Sequence, residues 1–317
     1  MNHVLNGNPH HSNPMQMVEN LKVAIDKFPY NGQFGLKEVG IQADAIEQGG
    51  LIELLNKSGC TVAETFTTKL TPEEEKQYGE MHRMGLASKH LADAVSTHLK
   101  KGLLPIGLLQ NCNGLMGILA GIQHSEGWKP IRVGLVWIDA HGDFNTPETT
   151  YSGMLGGMPV AISCGLCYDR LRRTCGLDPA LPTKYVTMVA VRDTDPYEQE
   201  SIDKFDIAQI TVDDLKNSSP AVDMEMERLS TICDKIYVHV DMDVLDPADI
   251  PGAGLPVANG PTARELADAI EVMFEYPKTC AFGVASYPAA RDPEKKGLKS
   301  VYALIEGAVK GAQSRTD

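Results

Sequence analysis

The sequence predicts an α/β protein: a doubly wound parallel sheet of about eight strands with helices on both faces, three layers in all. Three observations predict it. Apolar runs of four to seven residues recur along the chain and alternate with longer segments of helical periodicity. Most of these runs are apolar at successive positions, which suits strands covered on both sides rather than strands with one wet face. No linker, internal repeat or low-complexity tract divides the 317 residues, so one core can take in nearly the whole chain.

The elements follow in order. Residues 1–18 are polar and rich in Asn and His, and are expected to be flexible; residues 19–317 are expected to form a single domain. Strand-like runs fall at Leu21–Ile25, Cys60–Ala63, Leu104–Leu109, Val133–Ile138, Tyr185–Val191, Lys235–Val240 and Ala281–Ser286. Thr71-Pro72-Glu73-Glu74 reads as a helix start, with a capping Thr, Pro at the first helical position and Glu closing the box. Thr262-Ala263-Arg264-Glu265 repeats that box before Leu266–Phe274, and the stretch from Asp246 to Pro261 is a Pro- and Gly-rich loop.

Composition narrows the function. A net charge of −13 argues against general affinity for nucleic acid or an anionic membrane, which need basic patches. It suits a cationic substrate, although solubility alone also accounts for a negative surface. Seven cysteines form no regular framework, so reduced thiols and a cytoplasmic location are expected. Cys164-Gly165-Leu166-Cys167 is a lone CxxC on a helical stretch with no second metal-binding pair. No apolar stretch reaches membrane-spanning length.

The chemistry is carried by two short segments. Asp139-Ala140-His141-Gly142-Asp143 follows one apolar run, and Asp241-Met242-Asp243 follows another that contains His239. If the strands run on extended, side chains at i, i+2 and i+4 point the same way. Clustered carboxylates at buried strand ends repel one another unless a cation joins them. Carboxylate oxygens with an imidazole suit divalent ions such as Mn²⁺ or Ni²⁺, and a pair of such ions activates water for hydrolysis. In a doubly wound sheet the carboxyl ends of strands are where ligands collect. His239 shares the side of Asp241 and Asp243 by alternation, as a supporting residue or as core filling. Asp246 is expected to anchor the following loop, and His82, His90, His98 and His124 to be solvated or structural.

These residues resemble the ureohydrolase family of arginase, agmatinase and formimidoylglutamase. Its Asp-Ala-His-x-Asp motif is matched by Asp139 to Asp143, and its Asp-x-Asp-x-x-Asp-Pro motif by Asp241 to Pro247. The stretch from Asn145 to Gly153 resembles the family's substrate loop, and Val191 to Pro196 the segment whose acids face the substrate's far end. The resemblance implies an arginase-like fold, a dimanganese or dinickel centre, and a bridging hydroxide that attacks a guanidinium carbon. It makes Asp139 and Asp241 bridging ligands, His141 and Asp243 ligands of one ion, and Asp143 a ligand of the other. Asp139 and His141 thereby take the catalytic role. Asn145, Ser152, Met154, Asp193 and Asp195 become candidate substrate contacts, and a trimer or hexamer is expected.

Some positions depart from the family. Cys112 stands where the family's first metal histidine lies; it is either a sulfur ligand, with two ions of Mn²⁺ or Ni²⁺ expected, or a buried small residue, with one ion or none. Met154 and Gly156 stand where an Asn and a proton-shuttling His are usual, and Ala285 where a guanidinium-binding Glu is usual. The expected function is therefore metal-dependent hydrolysis of a guanidine- or biguanide-type C–N bond in a small cation other than arginine. Such a chain could also act as a subunit in a homo- or hetero-oligomer with a related ureohydrolase, as two-chain hydrolases of the biguanide metformin do. The alternative is a catalytically impaired paralogue that supports an active partner.

Overall fold

The computed structural model describes residues 20–30 and 41–315; the segment 1–18 expected to be flexible lies outside them. The strands are β1 (Leu21–Phe28), β2 (Cys60–Thr67), β3 (Leu104–Leu109), β4 (Val133–Ile138), β5 (Val186–Val189), β6 (Ala208–Ile210), β7 (Lys235–Asp241) and β8 (Thr279–Ala285). They form one sheet in the order β2-β1-β3-β8-β7-β4-β5-β6, and every pair is parallel. β3 and β4 are consecutive in the chain yet lie apart, with β8 and β7 filling the gap between them. The catalytic segments expected from the sequence leave this central region.

Continuously apolar strands still sort their side chains by alternation. Ile236, Val238 and Val240 of β7 pack with Val136 and Ile138 of β4 beneath the helices Ala263–Glu275 and Lys296–Gln313. Tyr237 of β7 and Leu135 and Trp137 of β4 pack on the opposite face, beneath the helices Glu80–Lys100 and Leu115–Gln123. Register then aligns residues across strands: Trp137 lies opposite His239, Ile138 opposite Val240, and Asp241 opposite Ala285. Asp139 therefore emerges beside Asp241 on the second face.

Several expectations needed correction. β6 escaped notice because three residues are too few to show a period. The run Tyr185–Val191 is strand only at Val186–Val189, since Tyr185 ends a 3₁₀ turn and Ala190 has a φ of 63°. The box at Thr71 forms, with Thr71 N donating to Glu74 Oε2 (2.8 Å) and Glu74 N to Thr71 Oγ1 (3.2 Å). It opens only a turn, and the helix begins at Glu80. At Thr262 the same box does start the helix Ala263–Glu275. Cys164 sits just past the short helix Pro159–Ser163, and Cys164 and Cys167 are both free thiols. Asp246 anchors its loop as expected, accepting from Ala248 N at 3.0 Å. No described helix is long and apolar enough to cross a membrane.

β1 runs on through Asp26, which is fully buried. Its Oδ2 lies 3.1 Å from His98 Nδ1 on the helix Glu80–Lys100, and His98 Nε2 lies 3.3 Å from Glu64 of β2. Burial alone would lower the His98 pKa, but the hydrogen bond to Asp26 and the negative charges of Asp26 and Glu64 together outweigh it, and the net shift is upward from 6.5. Burial raises that of Asp26. A group raised on folding stabilises fully below its unfolded pKa and loses that contribution as pH climbs through the folded value. His98→Leu leaves a buried carboxylate unpaired and should cost about 3–5 kcal/mol near pH 6, measured by urea unfolding. The gap between parent and variant should narrow as pH rises above 6.5, and a constant gap would contradict the pairing.

Candidate metal centre

Both acidic segments turn at the moment they leave the sheet. β4 ends at Ile138 and β7 at Asp241, so the extended run expected through Asp143 and Asp243 does not exist. In its place each leading aspartate folds the chain back on itself. Asp139 Oδ1 accepts from His141 N at 2.8 Å, and Asp241 Oδ1 accepts from Asp243 N at 3.0 Å, two Asx turns of the same kind. Asp143 then takes a left-handed φ of 45°, and its carboxylate lies with Cys112 and Asp139. Gly142 is required there, because a Cβ would meet Glu198 Oε1 at 2.8 Å.

The outcome is two groups that share one residue. Asp139, His141 and Asp243 bring a ligand atom each within 4.8 Å of one another, and so do Cys112, Asp139 and Asp143. Asp241 joins the second group, with Cys112 Sγ donating to its Oδ2 at 2.9 Å. Cys112 arrives from the far side of the gap, on the 3₁₀ turn Cys112–Gly114 after β3. The centre is thus assembled from the ends of β3, β4 and β7, and all six of these residues line a cleft of about 510 Å³.

Burial dominates the electrostatics. It pushes Asp139 up to about 6, with the charge of Asp241 adding to it, and Asp241 up to about 7, with that of Asp243 adding. Asp243 rises to about 6 and Asp143 further, each helped by Asp139. Burial opposes protonation of His141, but the hydrogen bond to Asp139 and the negative charges of Asp139 and Asp243 together outweigh it and raise it to about 12. Cys112 is raised well above 9 by burial and then by the three neighbouring carboxylates. Asp243 Oδ1 is buried without a hydrogen bond, 3.5 Å from His141 Nδ1. Four buried carboxylates facing one imidazole call for more positive charge than the described side chains supply, and divalent cations provide it. The donor set fits ions at both groups, with sulfur in only one of them.

The remaining expected contacts line the same cleft but differ in freedom. Asp193 is open, its side chain 63% exposed and 3.8 Å from His141 Nε2. Asp195 is already used: it caps the helix Pro196–Lys204 and accepts from Asn145 Nδ2 (3.2 Å) and Tyr151 N (3.1 Å). Asn145 accepts from the Thr149 hydroxyl (2.9 Å) with its carbonyl, so both ends of its amide are engaged within the loop. Ser152 accepts from Met154 N at 3.2 Å, and Met154 presents an apolar side chain that is 41% exposed. Tyr151 stands beside it, edge-on to Tyr197.

Among the lining residues that were not expected, three stand out. Ser286, with a φ of 63°, donates to Asp241 Oδ2 at 2.6 Å; read as the last residue of a strand, it gave no sign of this. Glu198 accepts from Phe144 N and Asp195 N, and Asp195-Pro196-Tyr197-Glu198 is a capping box that could have revealed it. Arg291 lines the outer wall.

Comparison with known proteins decides the family. The Arginase family profile matches residues 56–306. The chain belongs to the arginase family. It is 32% identical to the arginase of Bacillus caldovelox over 246 residues, covering 75% of this chain and 81% of that one. It is 28% identical over 258 residues to the human mitochondrial arginase-2, covering 77% and 71%. The crystal structure of Bacillus subtilis arginase superposes with a TM-score of 0.80 at 25% identity, over 91% of this chain and 98% of that one. Formimidoylglutamase of the same species shares the fold, with a TM-score of 0.71 at 15% identity. As an arginase-family member the chain is a ureohydrolase-superfamily hydrolase that depends on metal.

Asp139 is the one residue common to both groups. Asp139→Ala should therefore abolish retention of both ions, whereas Asp143→Ala and Asp243→Ala should each release one. Elemental analysis of the purified variants reads this directly, and full metal content in Asp139→Ala would contradict the shared position.

Proposed function

We propose that this chain hydrolyses a C–N bond of a small guanidine-type cation other than arginine, using two divalent ions held by Asp139, His141, Asp143, Asp241, Asp243 and Cys112. The sharing of Asp139 between two ligand groups on the floor of one cleft carries the reading. When bound, the ions supply Lewis acidity and an activated water. The rest of the work belongs to the chain. The exposed Asp193 carboxylate, beside His141, faces the cation. The Asn145–Asp195–Thr149 network fixes the loop that forms one wall. Ser286 holds the Asp241 carboxylate in place.

Substrate choice follows from what the wall lacks. An amino acid brings a carboxylate and an ammonium group at its far end, and both need polar partners. Here Met154 is apolar, Gly156 has no side chain, and Asn145 and Asp195 are bound to each other. The wall of Tyr151 and Met154 favours a substrate whose far end is small or alkylated, a biguanide among them. The surplus of acidic lining suits its positive charge.

A second reading has its own support. Ala285 lies directly opposite Asp241 in the sheet and is buried, so no carboxylate projects there to hold a guanidinium. A chain so altered would work as one subunit of a mixed oligomer with a related ureohydrolase. The readings separate on mixing: an active chain releases urea, guanylurea or amine alone, whereas a supporting chain only raises the turnover of its partner. If the mixture never exceeds the partner alone, the supporting role fails.

For the metal-loaded chain, kcat/KM for small alkylguanidines or biguanides should exceed that for arginine by about 10- to 150-fold. That range reflects roughly 1.5–3 kcal/mol for one missing charge-assisted hydrogen bond. Silence across a panel of guanidines and biguanides, with and without a partner chain, would overturn the hydrolase assignment.

A further inference from the structure

Behind Cys112 lies a buried polar chain that the hydrolytic reading leaves unused. His239 is fully buried on β7, and its Nε2 is 3.4 Å from Cys112 Sγ. Its Nδ1 is 2.9 Å from the Tyr237 hydroxyl. The imidazole is stacked on Trp137, with centroids 4.5 Å apart and planes 9° from parallel, so the ring cannot turn. A Cβ at Gly283, opposite His239 in the register, would overlap the Tyr237 hydroxyl. The strand thus leaves room for that phenol and nothing more.

The proton placement follows from satisfaction. Among the described residues the Tyr237 hydroxyl has no hydrogen-bond partner except His239, and a buried hydroxyl donates wherever an acceptor exists. Its proton therefore goes to Nδ1, and the neutral imidazole carries its own proton on Nε2, aimed at sulfur. Cys112 Sγ receives this N–H from behind. In front it faces the carboxylates of Asp139, Asp143 and Asp241. A buried cysteine that only fills space does not need a fixed donor on one side and three ligand-type oxygens on the other.

We propose that the two metal positions of this chain are chemically unequal: the Cys112 position is a thiolate site for a thiophilic divalent ion such as Zn²⁺ or Co²⁺, and the His239–Tyr237 pair positions and tunes its sulfur. On binding, the metal–sulfur bond replaces the S–H bond, and the thiol proton leaves to solvent. The N–H···S hydrogen bond from His239 then steadies the sulfur that carries the new charge, as supporting hydrogen bonds do at other metal sites. The His141 position, with one imidazole and carboxylates, remains the harder of the two and suits Mn²⁺. The inference rests on the two-ion reading above and adds to it which ion each half selects. His239 and Tyr237 are positioning residues, because they act through sulfur.

The test is spectroscopic. The metal-free full-length chain, titrated with Co²⁺, should develop an intense near-ultraviolet sulfur-to-cobalt charge-transfer band, complete when one of the two ions has bound. Cys112→Ser should lose the band and keep the ion at the His141 position. Zn²⁺ exceeds Mn²⁺ in affinity for almost any donor set, so the sulfur contribution is judged against Cys112→His, where the Zn²⁺-over-Mn²⁺ preference should drop tenfold or more. Tyr237→Phe changes volume little but frees the imidazole to change tautomer, and should shift the band to lower energy; a merely structural role would leave its position unchanged. Two bound cobalt ions with no charge-transfer band in the parent chain would overturn the thiolate site while leaving the two-ion reading intact. Failure to bind cobalt at all would overturn both.

Discussion

Everything at the centre depends on the Asp139 carboxylate and on the burial that surrounds it. One oxygen closes a turn with His141 N, and both ligand groups include the residue. It stands beside Asp241 because Ile138 pairs with Val240 one step back along the sheet. A carboxylate that is 1% exposed and faces others of its kind is stable only with protons or cations close by. The chain's own donors stand close: the imidazole of His141 lies between Asp139 and Asp243, while the Cys112 thiol and the Ser286 hydroxyl both donate to Asp241. Each of these contacts marks a place where a metal would compete.

The sheet makes such a cluster tolerable. β3 and β4 are separated by β8 and β7, and the cleft is lined by residues that follow the ends of β3, β4 and β7. Helices on both faces hold the strands in register through two apolar cores. The repulsion among the acids is thus borne by packing formed elsewhere, a common feature of sites whose local cost exceeds their local gain. Arg192 extends the support outward: its guanidinium binds the carbonyls of Ala190, Val257 and Ala258, tying the Pro- and Gly-rich loop to the end of β5.

The legible and illegible parts of the site divide along a physical line. Asp139, His141, Asp143, Asp241 and Asp243 could be read because each lies within a few residues of a strand end, where local spacing carries the signal. The side of the sheet on which His239 lies was readable from alternation. Its partners were not, since Trp137 and Gly283 meet it only through cross-strand register. Ser286 depends on a left-handed backbone that no residue type at that position announces. The left-handed Asp143 was hidden too: alternation pointed His141 and Asp143 the same way, and only the family resemblance gave them to different ions, the division that the two groups show. For the fold, long apolar runs were clear, the three-residue β6 was not, and an intact capping box at Thr71 proved no guarantee of a helix. The substrate loop was recognisable as a loop, but the hydrogen bond that joins Asn145 to Asp195 across it needs three dimensions to see.

The most direct test of this account is a crystal structure of the metal-loaded chain with anomalous scattering recorded at the absorption edges of the added metals. Two peaks roughly 3.5–4 Å apart, both within bonding distance of Asp139, one also bound to His141 and the other to Cys112 sulfur, are the expected result. A single peak, or a pair that does not share Asp139, would contradict it.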